Sequence, residues 1–380
     1  MESQGPSDCA PDADGDRGGE ESLAALHERL FAALKSGDLK AVRAAVEAGA
    51  DLRWTESWSG RGVVFFAGSE EVVRYLIGQG FSIEEPIANG ETPMVNAIEH
   101  GVTALEQLRA LIACGANVNA TVRGWTLFQR AARCPARDVA VLKVLIEAGA
   151  DPHALTEYGW SAAHLAVDVD MEANCEESVR STLGYLKEIG VDLNYGEEAN
   201  WTPLEKAIQT GRALEVEVLC ELGANTRQVV SLYVDDENIE GASLVALVVV
   251  HGGPDRPGRI KSLIAAGADP LLRDAKGFSA RQRAVREVVG FFQDWTSDLT
   301  GSLEARYLTF EEWFAESAGR CGRSGVREYV EQCASETPRV AWGDGDSECA
   351  RMFEEIRREM VEVLVLLCEV ELGLDEGARS

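Results

Sequence analysis

Residues 124–167 read GWTLFQRAARCPARDVAVLKVLIEAGADPHALTEYGWSAAHLAV. The stretch opens and closes on one phrase: Gly124-Trp125-Thr126 and Gly159-Trp160-Ser161 each precede a short apolar run with alanines. Between them, Val139, Leu142, Val144 and Leu145 recur at the spacing of one helical face. Thr126 and Ser161 can cap a helix by accepting backbone N–H bonds. Gly149 stands where that second helix must end, and a left-handed residue there is tolerated best without a Cβ. The reading is a helix, a turn, a second helix, a glycine stop and a loop, and then the same again.

The glycine stop returns along the chain at Gly49, Gly80, Gly115, Gly149, Gly190, Gly223 and Gly267, with separations of 31, 35, 34, 41, 33 and 44. A period near 33 indicates a stack of supersecondary units. The two long intervals require insertions, placed around Asp170–Glu177 and Asp235–Pro257. The opening phrase returns as GETPMVNAI (Gly90–Ile98), NWTPLEKAI (Asn200–Ile208) and GFSARQRAV (Gly277–Val285). Pro93 and Pro203 sit at the first helical position, where a missing N–H costs nothing. The units before Gly49 and Gly80 lack the phrase, and Arg61-Gly62-Val63-Val64 stands in its place in the second. After Gly223 only Ala242-Ser243-Leu244 remains of it.

These phrases resemble the ankyrin repeat, whose pattern runs G-x-T-P-L-H-x-A, then a second helix, then G-A-D-V-N. The resemblance covers roughly residues 22–290. It implies an all-α fold with short β-hairpin turns, an α-solenoid of about seven helix-turn-helix units. A C-terminal helical segment follows. It also implies that His164 bonds the backbone of the next turn, and that Asn119 and Asn194 bridge adjacent hairpins. Partners would meet the hairpin tips and the first-helix face lining the groove.

In register, the residue between the turn glycine or asparagine and the Thr or Ser is Glu91, Trp125, Trp160, Trp201 and Phe278. Two uses of this aromatic row stay open: anchors for a partner, since tryptophan buries a large area and donates one hydrogen bond, or rings that stack on neighbouring hairpins. The adjoining tip residues Arg123, Glu157, Tyr158 and Glu198 complete the candidate site. The carboxylates favour a partner protein with a basic or mixed surface.

Composition narrows the alternatives. The chain has 380 residues and a formal charge of −28. That field repels a phosphate backbone and an anionic membrane surface, so neither nucleic acid nor membrane is an expected partner. Nine cysteines without a CxxC suggest neither a disulfide framework nor a zinc site. The five histidines show no ligand spacing, and no nucleophile elbow or phosphate loop occurs. No cofactor, metal or catalytic residue is therefore expected. The apolar run Val363–Cys368 is far short of a membrane span. A monomeric cytoplasmic protein is the expectation, with the nucleus as second choice.

The ends lack the repeat. Residues 1–21 are polar and acidic, the composition of a disordered tail. Residues 291–380 hold 20 acidic and 9 basic residues, with helices expected near Phe310–Ser317, Val326–Cys333 and Glu348–Leu372. That segment is read as a helical cap on the stack or as a partner-binding region. The leading function is a protein-interaction scaffold or adaptor. A secreted or injected effector acting on a host protein is the alternative, followed by an enzyme catalysing through its C-terminal segment.

Overall fold

The computed structural model describes residues 23–56, 59–134, 138–168, 176–196, 201–234, 237–253, 255–290, 310–312, 314–315, 319–335 and 347–373. The tail over 1–21, most of the insertion around Asp170–Glu177, and Glu198 lie outside them. Helices dominate, with two small antiparallel hairpins. The chain divides into two compact units, residues up to 97 with 103–117, and 98–102 with 118 onward.

In the first unit, α1 (Leu23–Ser36) and α2 (Leu39–Glu47) form an antiparallel pair. Asp38 caps α2 by accepting from the amides of Lys40 and Ala41. The second repeat has no first helix. A single 3₁₀ turn, Val63–Phe66, replaces it ahead of α3 (Glu70–Gly78). So short a turn leaves carbonyls open. Gln107 from α5 (Leu105–Ala113) donates to Val64 and Phe65 at 3.3 and 2.8 Å, and Asn96 donates to Phe65 at 3.2 Å. The missing phrase is thus a real structural change, repaired by two buried amides. Asn96 belongs to α4 (Pro93–Glu99), which carries the next full phrase.

The second unit begins with hairpin β1 (Thr121–Val122) and β2 (Trp125–Thr126), followed by helix pairs α6 (Leu127–Arg133) with α7 (Val139–Glu147), and α8 (Ala162–Ala166) with α9 (Glu176–Glu188). Next come α10 (Pro203–Gln209) with α11 (Ala213–Glu221), hairpin β3 (Val229–Val234) and β4 (Glu237–Ser243), and α12 (Leu244–His251) with α13 (Arg256–Ala265). The chain continues with α14 (Ala280–Gly290), α15 (Gly319–Ser335) and α16 (Ser347–Glu371). First helices pack on first helices, α6–α8–α10–α12–α14, and second on second, α7–α9–α11–α13. Small residues make this close row possible: Ala131, Ala166, Ala207 and Ala284 are all buried. The seven stop glycines all adopt the left-handed conformation, with φ between 82° and 107°.

Two sequence readings gain detail. Ser243, the weak remnant, is a working cap whose side chain accepts from Ala246 N–H. The insertion around Asp235–Pro257 is largely an enlarged hairpin that begins earlier, at Val229. Val230, Leu232, Ile239 and Ala242 are buried against α12.

Beyond residue 290, α16 lies along α13 and α14, and α15 lies on α16. Val363, Leu364, Leu367 and Cys368 are buried there. The acidity of the segment has specific partners. Arg281 of α14 pairs with Glu311 and Glu371 at 2.6 Å each, and Arg256 of α13 pairs with Glu359 at 3.2 Å.

Candidate functional site

The fingers are tight turns built around left-handed glycines. Val122 pairs with Trp125, leaving Arg123 and Gly124 as a two-residue loop with φ of 56° and 80°. Positive φ at both loop positions is the turn whose twist suits a hairpin. Arg123 occupies it at a steric cost that glycine would avoid. The next finger closes with Thr156 N–H on the Trp160 carbonyl (2.9 Å) and Gly159 N–H on Thr156 (2.9 Å). The last repeats this with Asp274 N–H on Phe278 (3.0 Å) and Gly277 N–H on Asp274 (2.8 Å).

Adjacent fingers are tied by a ladder at their base. Asn119 donates to the Gly149 carbonyl at 3.0 Å and accepts from Asp151 N–H at 2.9 Å. Asn194 accepts from Asn225 N–H at 2.6 Å. Thr226 and Arg227 continue it to the carbonyls of Ala266 and Gly267. The bridging role expected of Asn119 and Asn194 is what the geometry shows.

His164 is fully buried. Its Nδ1 accepts from Ser161 N–H at 3.1 Å, so its Nε2 carries the proton donated to the Trp201 carbonyl at 2.7 Å. Burial pushes its pKa down to about 4 against the pull of that bond, with Lys206 adding a smaller push. Gln129 holds the equivalent position one repeat earlier, accepting from Thr126 N–H (2.9 Å) and donating to Ala154 (2.8 Å). Glu205 accepts from Thr202 N–H at 2.6 Å, and burial raises its carboxyl above the ordinary range.

The aromatic row divides. Trp125 and Trp160 are half-buried, and each carries a cation on its face. Arg133 and Arg130 lie 5.1 and 5.8 Å from the Trp125 centroid, and Lys206 Nζ lies 3.2 Å from that of Trp160. Phe278 is likewise half-buried beneath Arg286 and Arg283, at 4.1 and 5.0 Å. Asp168 links the cations, 3.8 Å from Arg133 and 3.5 Å from Lys206. Burial holds the Lys206 amine below its usual range while Asp168 raises it. The ring supplies attraction from its π face that a lone buried ammonium would lack. Among the described residues, no two rings of the row stack on one another.

Trp201 is different. It is 49% exposed and has no cation over it among the described residues, while its backbone is pinned by His164. Tyr158 is 63% exposed with its ring 6.2 Å from Trp160. Arg123 and Glu157 are exposed, and Glu198 lies outside the described residues. Sequence reading missed Arg130, Lys206 and Arg283. Their signal was available: a basic residue recurs five positions after Trp125, Trp201 and Phe278.

Among the described residues no His, Cys, Asp or Glu cluster could hold a metal ion, and no helix is long and apolar enough to cross a membrane. Burial raises the thiols of Cys220 and Cys368 to about 12, the opposite of a reactive cysteine.

Residues 62–156, a quarter of the chain, match the family model for ankyrin repeats in three copies. No curated protein matches the chain. Among solved structures it is similar to the human ASB11 ankyrin repeat domain, with 23% identity, 58% of this chain and 90% of that one covered, and a TM-score of 0.44. It is also similar to the ankyrin repeat domain of Bcl-3, a member of the IkappaB protein family, with 20% identity, 67% and 92% covered, and a TM-score of 0.44. The matched copies identify residues 62–156 as ankyrin repeats, and the glycine-ended helix pair and the ladder between fingers continue the same build beyond them.

Proposed function

We propose that this chain is a scaffold or adaptor that holds a partner protein at the finger tips around Trp201 and Tyr158. One observation carries the reading: the Trp201 indole is half open to solvent on a backbone already fixed by the His164 bond. A large apolar ring on a pre-ordered tip loses little entropy when a partner covers it. Leu155 and Tyr158, 43% and 63% exposed on the preceding finger, supply further apolar contact area. Glu157 there is an exposed carboxylate, which suits a partner of basic or mixed surface. A cytoplasmic, monomeric protein is part of the same proposal.

The row is therefore assigned two uses. Trp201 with Tyr158 contacts the partner; Trp125, Trp160 and Phe278 support the stack beneath their cations. The test starts from a partner recovered by affinity purification from the native cell and confirmed with purified components. Trp201→Ala and Tyr158→Ala should each weaken its binding by roughly tenfold or more with unchanged melting temperature. Trp160→Ala should instead cost about 1–2 kcal/mol of stability, because Lys206 loses the ring over which it is buried; urea denaturation reads that loss. Undiminished capture by a folded Trp201→Ala, Tyr158→Ala double variant would sink the tip assignment.

A further inference from the structure

The enlarged hairpin β3–β4 offers a second surface, apart from Trp201. One face of it is spent on α12. The other carries Val229 and Tyr233, 60% and 64% exposed, with Ser231 between them. Its geometry is held from two directions. Between the Val230–Ala242 and Leu232–Ile239 pairs, β4 contains one more residue than β3, a bulge with Gly241 at φ 76°. On the far side of β4, Ala275 N–H bonds the Glu240 carbonyl at 2.9 Å and ties the hairpin to the next finger.

Two open hollows adjoin this face and share Val229. One, of about 490 Å³, runs from Arg227 to Asp269, Pro270 and Leu272. The other, of about 550 Å³, runs past Ser231 and Glu240 to Arg273. They meet at Val229, which puts an apolar side chain at the centre of a shallow trough. Its arginines are engaged by the protein itself: Arg227 bonds the Gly267 carbonyl, and Arg273 bonds Gly277 and Gln282. Its exposed carboxylate Glu240 has no ion-pair partner among the described residues. In the sequence between Arg227 and Arg256 there is no lysine or arginine, whereas acidic residues are several, Glu240 of β4 among them.

From these observations we infer that the open face of β3–β4 is a docking trough for an extended peptide segment of a partner, with an aliphatic side chain on Val229 flanked by lysines or arginines. An extended chain presents alternate side chains to one surface, which suits a long shallow trough with an apolar centre and acidic border. A second copy of this chain is disfavoured as occupant, since each copy carries −28.

The probe is a fluorescein-labelled nine-residue peptide, Gly-Lys-Thr-Lys-Val-Lys-Thr-Lys-Gly, measured by anisotropy against the full chain. The same peptide with glutamate for lysine is the comparison. The lysine peptide should bind at least tenfold more tightly than the glutamate one. Glu240→Lys and Val229→Asp should each weaken it roughly tenfold, with circular dichroism and melting temperature unchanged. Val229→Asp separates the trough from bulk attraction: it adds negative charge, so a non-specific basic peptide would bind it better. Glu71→Lys, exposed and remote in sequence, should leave binding unchanged, and so should Trp201→Ala, which separates this site from the finger tips. Equal binding of the two peptides, or a Val229→Asp variant that binds as well as wild type, would overturn the inference. Self-association of the wild type that Val229→Asp abolishes would overturn it also, by naming a second copy as the occupant.

Discussion

Replacing Arg283 with alanine is expected to remove about 3–5 kcal/mol of stability, the range for breaking a buried ion pair from one side. The side chain of Asp274 is wholly inaccessible and that of Arg283 is 6% exposed. Two guanidinium nitrogens donate to Asp274 Oδ2, at 2.6 and 2.8 Å. The other carboxylate oxygen accepts from Lys276 N–H at 2.9 Å and Phe278 N–H at 3.1 Å, which shapes the last finger. Alanine leaves Oδ2 charged, buried and without its donors. The pair itself is a different matter. Asp274→Asn combined with Arg283→Met should cost less than Arg283→Ala alone, because neither partner is left as an uncompensated charge. Repeat stacks can open in parts, so amide exchange over residues 274–286 is the direct measurement, with urea unfolding beside it. A loss below about 1 kcal/mol would show that water or a rearranged side chain reaches Asp274, and would retract the account of this finger.

Arg283 also marks where sequence reading stops. The stop glycines, the Thr and Ser caps and the small alanines act within one repeat, so their spacing reveals them. The same holds for His164, Asn119 and Asn194, whose partners lie about one period on. The basic position of Lys206 was legible but its target was not, because it caps Trp160, 46 positions earlier in the chain, and not the Trp201 of its own repeat. The partners of Arg256 and Arg281 in α16 are 103 and 90 positions away, so the acidity of the tail was legible but its targets were not. Hairpin β3–β4 was hidden for another reason. VVSLYV is apolar at five of six positions, so the alternation that marks a half-buried strand is absent, and the bulge at Gly241 breaks it again in β4. The aromatic row was found by register alone. Register could not distinguish Trp201, left open, from Trp125 and Trp160, because the difference is made by cations that approach from α6 and α10.

Between pH 7 and pH 4 the wild-type protein should lose about 3 kcal/mol of stability that a His164→Gln variant keeps. The unfolded imidazole titrates near 6.5 and the folded one at about 4. On acidification the unfolded chain therefore takes up the proton first. The contribution is whole above pH 6.5, falls through the interval, and is gone below about 4, where both states are protonated. The cause is geometric as well as dielectric. A second proton would place Nδ1–H against Ser161 N–H, breaking that bond and leaving only the Ser161 hydroxyl, at 2.9 Å, to accept from it. Glutamine is the proper comparison because Gln129 at the equivalent position accepts from its cap N–H and donates to the next finger, at 2.8 Å to Ala154 and 3.5 Å to the Trp160 carbonyl, so the variant keeps the finger tied without a titrating group. Glu205, whose folded carboxyl is raised by burial, works in the opposite direction as pH falls, but it is common to both proteins and cancels in their difference. The measurement is the urea midpoint of each at half-unit steps from pH 7 to 4. Divergence beginning near 6.5 assigns the dependence to His164, whereas parallel curves would mean that the imidazole is reached by water and that the Trp201 backbone is held by something other than its Nε2–H bond.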